Sequence, residues 1–262
     1  MGIKISILLP TLGERPNEIE KLFISLTKQS YRNFELIVVV QDNFSKVNEL
    51  CKKYVNIFEI KNIQSYKKGI SVARNIGLNF IKGDIVMLSD DDAWYPSDAL
   101  ERVVKFFSET PEADILLTQI YDPIKGIYYK DYGKTSKKLR CIFDLLSKSS
   151  IEIAFRYSNV SIRFDELFGL GGIFVAGEEN DFLIQCYRKN ANIYYLPAIT
   201  VYHPKKNDKM THEQIIAKGA FYSKNFGVLI SVCVLIRDLL KKRQNNCRWF
   251  FYGYKKYAKR IY

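Results

Sequence analysis

The chain has 262 residues, 47% of them hydrophobic and 26% charged, enough apolar material for a packed core, which excludes disorder over most of its length. The formal net charge is +12, yet Lys and Arg number 26 against 25 acidic residues up to Pro204, and 14 against 3 from Lys205 onward. A nearly neutral body with a basic, aromatic end points to a soluble catalytic domain with a surface-binding extension, for which anionic lipid is at least as good a partner as nucleic acid.

Lys4–Leu9 and Glu35–Val40 are compact apolar runs of the kind buried in parallel strands. Between them, Ile19, Leu22, Phe23 and Leu26 recur at helical spacing within Asn17–Gln29, so the first forty residues predict a βαβ unit. A helix at Lys46–Tyr54, a strand at Ile57–Ile60, a helix at Gly69–Phe80 and a strand at Ile85–Ser89 continue the alternation. Beyond Pro96 come a helix at Asp98–Glu109 and a strand at Asp114–Gln119, followed by a polar, Tyr-rich stretch, Tyr121–Lys138, that reads as a hairpin or a loop over a site. Glu178–Lys189 predicts a helix, Asn192–Leu196 a strand, and His212 onward a series of basic, aromatic helices. The fold class expected is α/β: a mainly parallel sheet flanked by helices, with a C-terminal helical extension.

Five scattered cysteines without a CxxC pair indicate neither a disulfide framework nor a zinc site. The start, MGIKISILLPT, reads as a strand and not as a signal peptide, so the expected location is cytoplasmic. The longest apolar stretch, Phe226–Ile236, has 11 residues, fewer than the ~20 a spanning helix needs. It suits a core helix or an interfacial one.

In open α/β sheets, ligands bind beyond the carboxyl ends of the strands. Polar residues follow three of the predicted strands: Pro10-Thr11, Gln41-Asp42 and Asp90-Asp91-Asp92. Three consecutive carboxylates repel one another unless a positive charge sits among them, and oxygen ligands suit Mg²⁺ or Mn²⁺. The competing explanation is that the acids cap the following helix, although a cap needs only one.

The segments PTLGERPNEIEKLFISLTKQSYRNFELIVVVQD, SVARNIGL and GDIVMLSDDDAWYP are similar, in order and spacing, to the nucleotide-sugar-binding half of family 2 glycosyltransferases of GT-A fold. The resemblance runs from residue 3 to about residue 203 and implies roles for particular positions. Pro10, Thr11, Arg15 and Asp42 fall on the donor side, Thr11 and Asp42 lining the nucleobase, usually uracil. Arg74 and Asn75 match a segment near the nucleotide, and Asp90 matches the ribose-contacting position. Ser89 stands where many members carry an acid, which leaves the metal ligand open between Asp91 and its neighbours, Asp92 included. His203 matches a histidine that relatives often carry near the diphosphate or metal.

A second block, GGIFVAGEENDFLIQCYRK, resembles the family's Gly-rich loop and the helix that supplies the catalytic base. Glu179 takes the base position, with Glu in place of the commoner Asp. Gly172 and Glu178 fall beside the acceptor. Glu178 and Glu179 also read simply as first-turn acids of a helix. The implied reaction is metal-dependent transfer of a sugar from a nucleotide-sugar, expected to be a UDP-sugar, to a hydroxyl of a saccharide or lipid-linked acceptor, with inversion, in surface polysaccharide synthesis. The organisation expected is residues 1–96 for the donor, 97–204 for the acceptor and 205–262 as extension.

In that extension Lys218, Arg237, Lys241-Lys242-Arg243, Trp249-Phe250-Phe251-Tyr252 and Lys255-Lys256 combine cations with aromatic groups. This pattern predicts an interfacial helix on an anionic membrane, at the inner face of the cell membrane; the alternative is the oily face of helices packed on the sheet. No nucleic-acid module accompanies the charge, so no nucleic-acid partner is expected. A nucleotidyltransferase would want a Gly-rich phosphate loop after the first strand, whereas PTLGERP has one Gly. The other alternative is a catalytically silent nucleotide-sugar-binding or membrane-adaptor protein of the same fold.

Overall fold

The computed structural model describes residues 2–206, 209–240 and 247–261, with the side chains of 238–240 and 261 left out. The expected basic cluster Lys241, Lys242 and Arg243 lies outside the described residues. Strands β1 (Ile5–Thr11), β2 (Phe34–Val40), β3 (Glu59–Gln64) and β4 (Ile85–Leu88) alternate with helices α1 (Pro16–Thr27), α2 (Phe44–Tyr54) and α3 (Ile70–Leu78). Helix α4 (Ala99–Glu109) leads to β5 (Ile115–Asp122), the short strands β6 (Ile127–Tyr128) and β7 (Lys137–Lys138), and β8 (Ile153–Arg156). Helix α5 (Glu178–Arg188) and β9 (Ile193–Tyr202) follow, and then α6 (His212–Asn225), α7 (Val228–Leu240) and α8 (Cys247–Ile261).

The strands form one sheet in the order β3-β2-β1-β4-β8-β5-β9-β7, with β6 paired to β5. β3, β2, β1 and β4 run parallel, as do β5 and β9, and β8 lies antiparallel between β4 and β5. β1 and β2 are buried at every position because helices cover both faces, which is why their sequences are uninterrupted apolar runs. Successive side chains serve opposite layers. Ile7 and Leu9 join a core with Leu22, Phe23 and Phe107 of α1 and α4, whereas Leu8 joins Ala73 of α3 and Phe182 of α5 on the other face.

Three features differ from the sequence-based expectation. β3 begins two residues later than expected and extends to Gln64; as an edge strand it alternates exposed and half-buried residues, so its apolar signal is weak. β8 was absent from the expected elements: it is a four-residue run between irregular segments. β9 continues through Pro197 to Tyr202, because the β5–β9 register is irregular between Leu117 and Gln119, where a residue without an N–H is tolerated.

Helices α6 and α8 pack backbone to backbone. A Cβ built on Gly219 would lie 2.0 Å from the Phe250 carbonyl oxygen, and one on Gly253 would lie 1.9 Å from that of Ile216. Phe221, Tyr222, Phe250 and Tyr257 then share the core that holds Phe168, Phe174 and Phe182.

Candidate active site

The ends of β1, β2 and β4 meet at one cavity of about 260 Å³, lined by Pro10, Thr11, Arg15 and Gln41, by all three of Asp90, Asp91 and Asp92, and by Lys68, Gly171 and Lys206. The β1 end places Thr11, whose Oγ1 donates to Asp91 Oδ2 at 2.7 Å and accepts from the Gly13 N–H at 2.9 Å. Gly13 takes a left-handed φ of 66°, and the turn it makes brings Arg15 back onto Asp91 and Asp92. At the β2 end the Gln41 side chain donates to the carbonyls of Lys67 and Gly69 at 2.6 and 3.0 Å, fixing the loop before α3. Asp42 does not line the cavity; it accepts from Lys68 Nζ at 2.6 Å, and that lysine does line it.

The three carboxylates have different surroundings. Burial pushes the Asp91 carboxyl up, against the pull of Thr11 and Arg15, and Asp92 and Asp90 add repulsion. Burial pushes Asp92 up too, but hydrogen bonds and charge from His203 and Lys206 outweigh it and hold that carboxyl well below the usual range. His203 Nε2 is 3.1 Å from Asp92 Oδ1, Lys206 Nζ is 2.9 Å from Asp92 Oδ2, and His203 Nδ1 is 2.7 Å from the Pro204 carbonyl oxygen. The contact of Nδ1 with that carbonyl fixes the ring so that Nε2 faces Asp92. Among the described residues no three His, Cys, Asp or Glu side chains form a ready-made cage. Arg15 and Lys206 pair with Asp91 and Asp92, so these carboxylates and His203 would supply only part of the shell of a hard divalent cation, the rest coming from phosphate and water.

Arg74, wholly buried on α3, joins this cavity to the predicted catalytic helix. Its Nη2 lies 3.1 Å from Asp90 Oδ1, and its Nη1 3.1 Å from Glu178 Oε1. Asp90 also accepts from Ser150 Oγ at 3.3 Å. Asn75 faces away from both pockets: its side chain donates to the Phe164 carbonyl at 2.8 Å and accepts from the Phe164 N–H at 2.9 Å, anchoring the loop before Gly172. The Gly172 N–H donates to the Gly169 carbonyl within that loop, while Gly171, at φ 82°, packs on Gly69 and lines the donor-side cavity.

Glu179 opens into a second cavity, of about 240 Å³. Gly177, Glu179 and Asn180 form one wall, and Gln214, Lys218, Phe221 and Tyr222 of α6 form the other. Burial and the adjacent Glu178 push the Glu179 carboxyl well above its ordinary value. Lys224 of α6 braces this helix, with Nζ 2.7 Å from the buried Asp181 and 2.6 Å from Asp165. Sequence reasoning missed Lys68 and Lys206 at the first cavity and the α6 wall at the second. A Lys pair directly after His203-Pro204 was a signal for Lys206, but it was counted with the basic extension.

A GT-A arrangement, with a mainly parallel sheet and acidic residues at the end of its fourth strand, is the class this architecture defines. The model of glycosyl transferase family 2 matches residues 6–169, and the chain belongs to that family. It is 30% identical over 168 residues to "Glycosyltransferase GlyA" of Streptococcus pneumoniae, covering 63% of this chain and 22% of that protein. The chain thus spans under a quarter of the length of this relative. The Staphylococcus aureus TarS 1-349 structure in complex with UDP-GlcNAc superposes with a TM-score of 0.66 at 21% identity, over 86% of this chain and 68% of that one. A mannosyltransferase, PcManGT from Pyrobaculum calidifontis in complex with GDP-Man and Mn²⁺, gives 0.62 at 15% identity, over 88% and 65%.

Proposed function

We propose that this protein transfers a sugar from a nucleotide-sugar, a UDP-sugar in the first instance, to a hydroxyl of a saccharide or lipid-linked saccharide, with inversion, in surface polysaccharide synthesis. The observation that carries the reading is the Arg74 bridge: one buried guanidinium joins the acidic end of β4 to the first turn of α5, so donor-side and base-side carboxylates form one unit. The UDP-GlcNAc held by the staphylococcal neighbour supports the choice of donor.

Thr11 and Gln41 line the donor cavity and would bound its nucleotide end, with Asp42 behind Lys68, and Asp90 would contact the ribose. Asp91 and Asp92, with His203, would hold Mn²⁺ or Mg²⁺, which when bound supplies positive charge to the leaving diphosphate; the Mn²⁺ of the archaeal neighbour supports this. Arg15 and Lys206 add cationic charge at the same mouth. From the second cavity Glu179 takes the proton of the acceptor hydroxyl. The acceptor oxygen then forms its bond to the anomeric carbon on the face opposite the breaking carbon–oxygen bond to phosphate. A single base used this way gives single displacement. Its raised proton affinity suits a base working near neutral pH, where acid–base catalysis contributes about 10²- to 10⁴-fold.

The test is calorimetric titration with UDP, with and without Mn²⁺, together with turnover of UDP-sugars. Metal-dependent UDP binding should be lost in Asp91→Ala, and Glu179→Gln should bind UDP as wild type does while losing about 10²-fold or more in turnover. Wild-type protein that binds UDP but turns over no donor would establish the silent-binder alternative.

A further inference from the structure

We infer that the helical cap formed by α7 and α8 is a docking surface for an anionic lipid bilayer, with the apolar stripe of α7 entering the boundary between headgroups and acyl chains. Helix α7 carries no charge from Val228 to Ile236. Val228, Leu229, Val232 and Ile236 are 55, 80, 37 and 51% exposed, and Cys233 is exposed beside them. Positions 228, 229, 232, 233 and 236 fall on a single face at helical spacing, while Ser231 and Val234 turn inward and are buried. A contiguous apolar stripe left in water marks an interaction site.

The charge selects the partner. Residues 205–262 hold 14 basic against 3 acidic side chains. On α8, Phe251 and Tyr252 are 37 and 52% exposed, and with Arg248 and Lys255 they line an open hollow. Aromatic rings next to cations, beside an apolar stripe, match the headgroup level of an anionic membrane. A second copy of this chain would set the same positive surface against itself. A span is excluded for the described residues, none of whose helices is long and apolar enough to cross a membrane. With 13 residues, α7 lies in the interface plane.

The consequence for the site comes through α6, which packs on α8 at Gly219 and Gly253 and walls the cavity beside Glu179. A seated cap places that cavity close to the lipid surface, which selects a lipid-linked saccharide as acceptor. This last step rests on the glycosyltransferase reading; the docking itself does not.

The test is flotation of the full chain with vesicles of phosphatidylcholine alone or with about one-third phosphatidylglycerol, at about 0.1 M and about 0.5 M salt. Two variants accompany wild type: Leu229→Gln/Val232→Gln and Arg248→Gln/Lys255→Gln. The expected result is binding to the anionic vesicles at low salt, weakened at least about tenfold by either variant, with UDP affinity unchanged. Should the α7 variant fail to fold, the α8 variant carries the comparison. Protein that stays in solution, that binds neutral vesicles equally, or whose partition neither variant alters overturns the inference. So does a dimer, seen by sedimentation equilibrium, that the α7 variant dissolves. Loss of UDP binding in wild type with vesicle binding intact would instead remove the glycosyltransferase reading alone.

Discussion

Arg74 is the residue on which the two cavities depend together, and replacing it by Met tests this directly. Its guanidinium is fully buried and faces Glu178, whose side chain is 9% exposed, and Asp90, whose side chain is 31% exposed. Removing one partner of a buried ion pair costs about 3–5 kcal/mol, because the remaining charge stays desolvated. Water can reach Asp90 but hardly Glu178, so most of the cost falls on Glu178 and the lower end, about 3 kcal/mol, applies. For a chain of this size that is a fall of about 6–12 °C in Tm. A double-mutant cycle with Glu178→Gln, read by urea unfolding at neutral pH, should recover about 2 kcal/mol as coupling, while the cycle with Asp90→Asn should recover under about 1 kcal/mol. Equal couplings for the two partners, or none for Glu178, would refute the argument that burial sets the difference.

The raised proton affinity of Glu179 has a definite sign in stability. Between its ordinary value of 4.5 and the higher value in the folded chain, the native state keeps a proton that the unfolded state has released, so stability falls as pH rises through that window. Glu179→Gln should therefore be more stable than wild type at pH about 7.5 and lose that advantage at pH about 4; urea midpoints at the two pH values decide it, and wild-type turnover should rise across the same window. For Gly253→Ala, the new Cβ meets the Ile216 carbonyl oxygen at 1.9 Å, backbone against backbone. The expected loss is about 3 kcal/mol, with faster proteolytic removal of α8, and a change under about 0.5 kcal/mol would count against close helix contact.

Most of the N-terminal half was legible in the sequence because β1, β2 and β4 are buried on both faces and polar residues follow their ends, so apolar runs and polar turns alternate; the half-exposed edge strand β3 was the exception. Thr11, Arg15, Asp91, Asp92 and His203 were each suggested separately, and the structure brings them to one mouth. Asn75 was grouped with Arg74 as its chain neighbour, but on α3 adjacent residues point about 100° apart. Arg74 therefore turns to the carboxylates and Asn75 to the 163–166 loop. β8 was not legible: four residues do not establish a period, and the position of the strand at the centre of the sheet depends on pairing with β4 and β5, which no local pattern encodes.

The C-terminal region shows how one composition serves two purposes. Its aromatic residues divide by helix face. Phe221, Tyr222, Phe250 and Tyr257 fill the core under α5, whereas Phe251 and Tyr252 stand outside it, one and two positions further along the chain from Phe250. Composition averages over these faces, so the sequence showed a basic aromatic tail where the structure shows a cavity wall with an outer surface. The Lys224–Asp181 bond carries the same division into electrostatics: burial would lower the proton affinity of this lysine, but Asp181 and Asp165 outweigh it and keep the amine charged. A cation from the extension thereby holds helix α5 two residues past Glu179. The outer helix of the cap and the cavity beside Glu179 thus share one element, α6, which packs on α8 at Gly219 and lines the cavity with Gln214, Lys218, Phe221 and Tyr222.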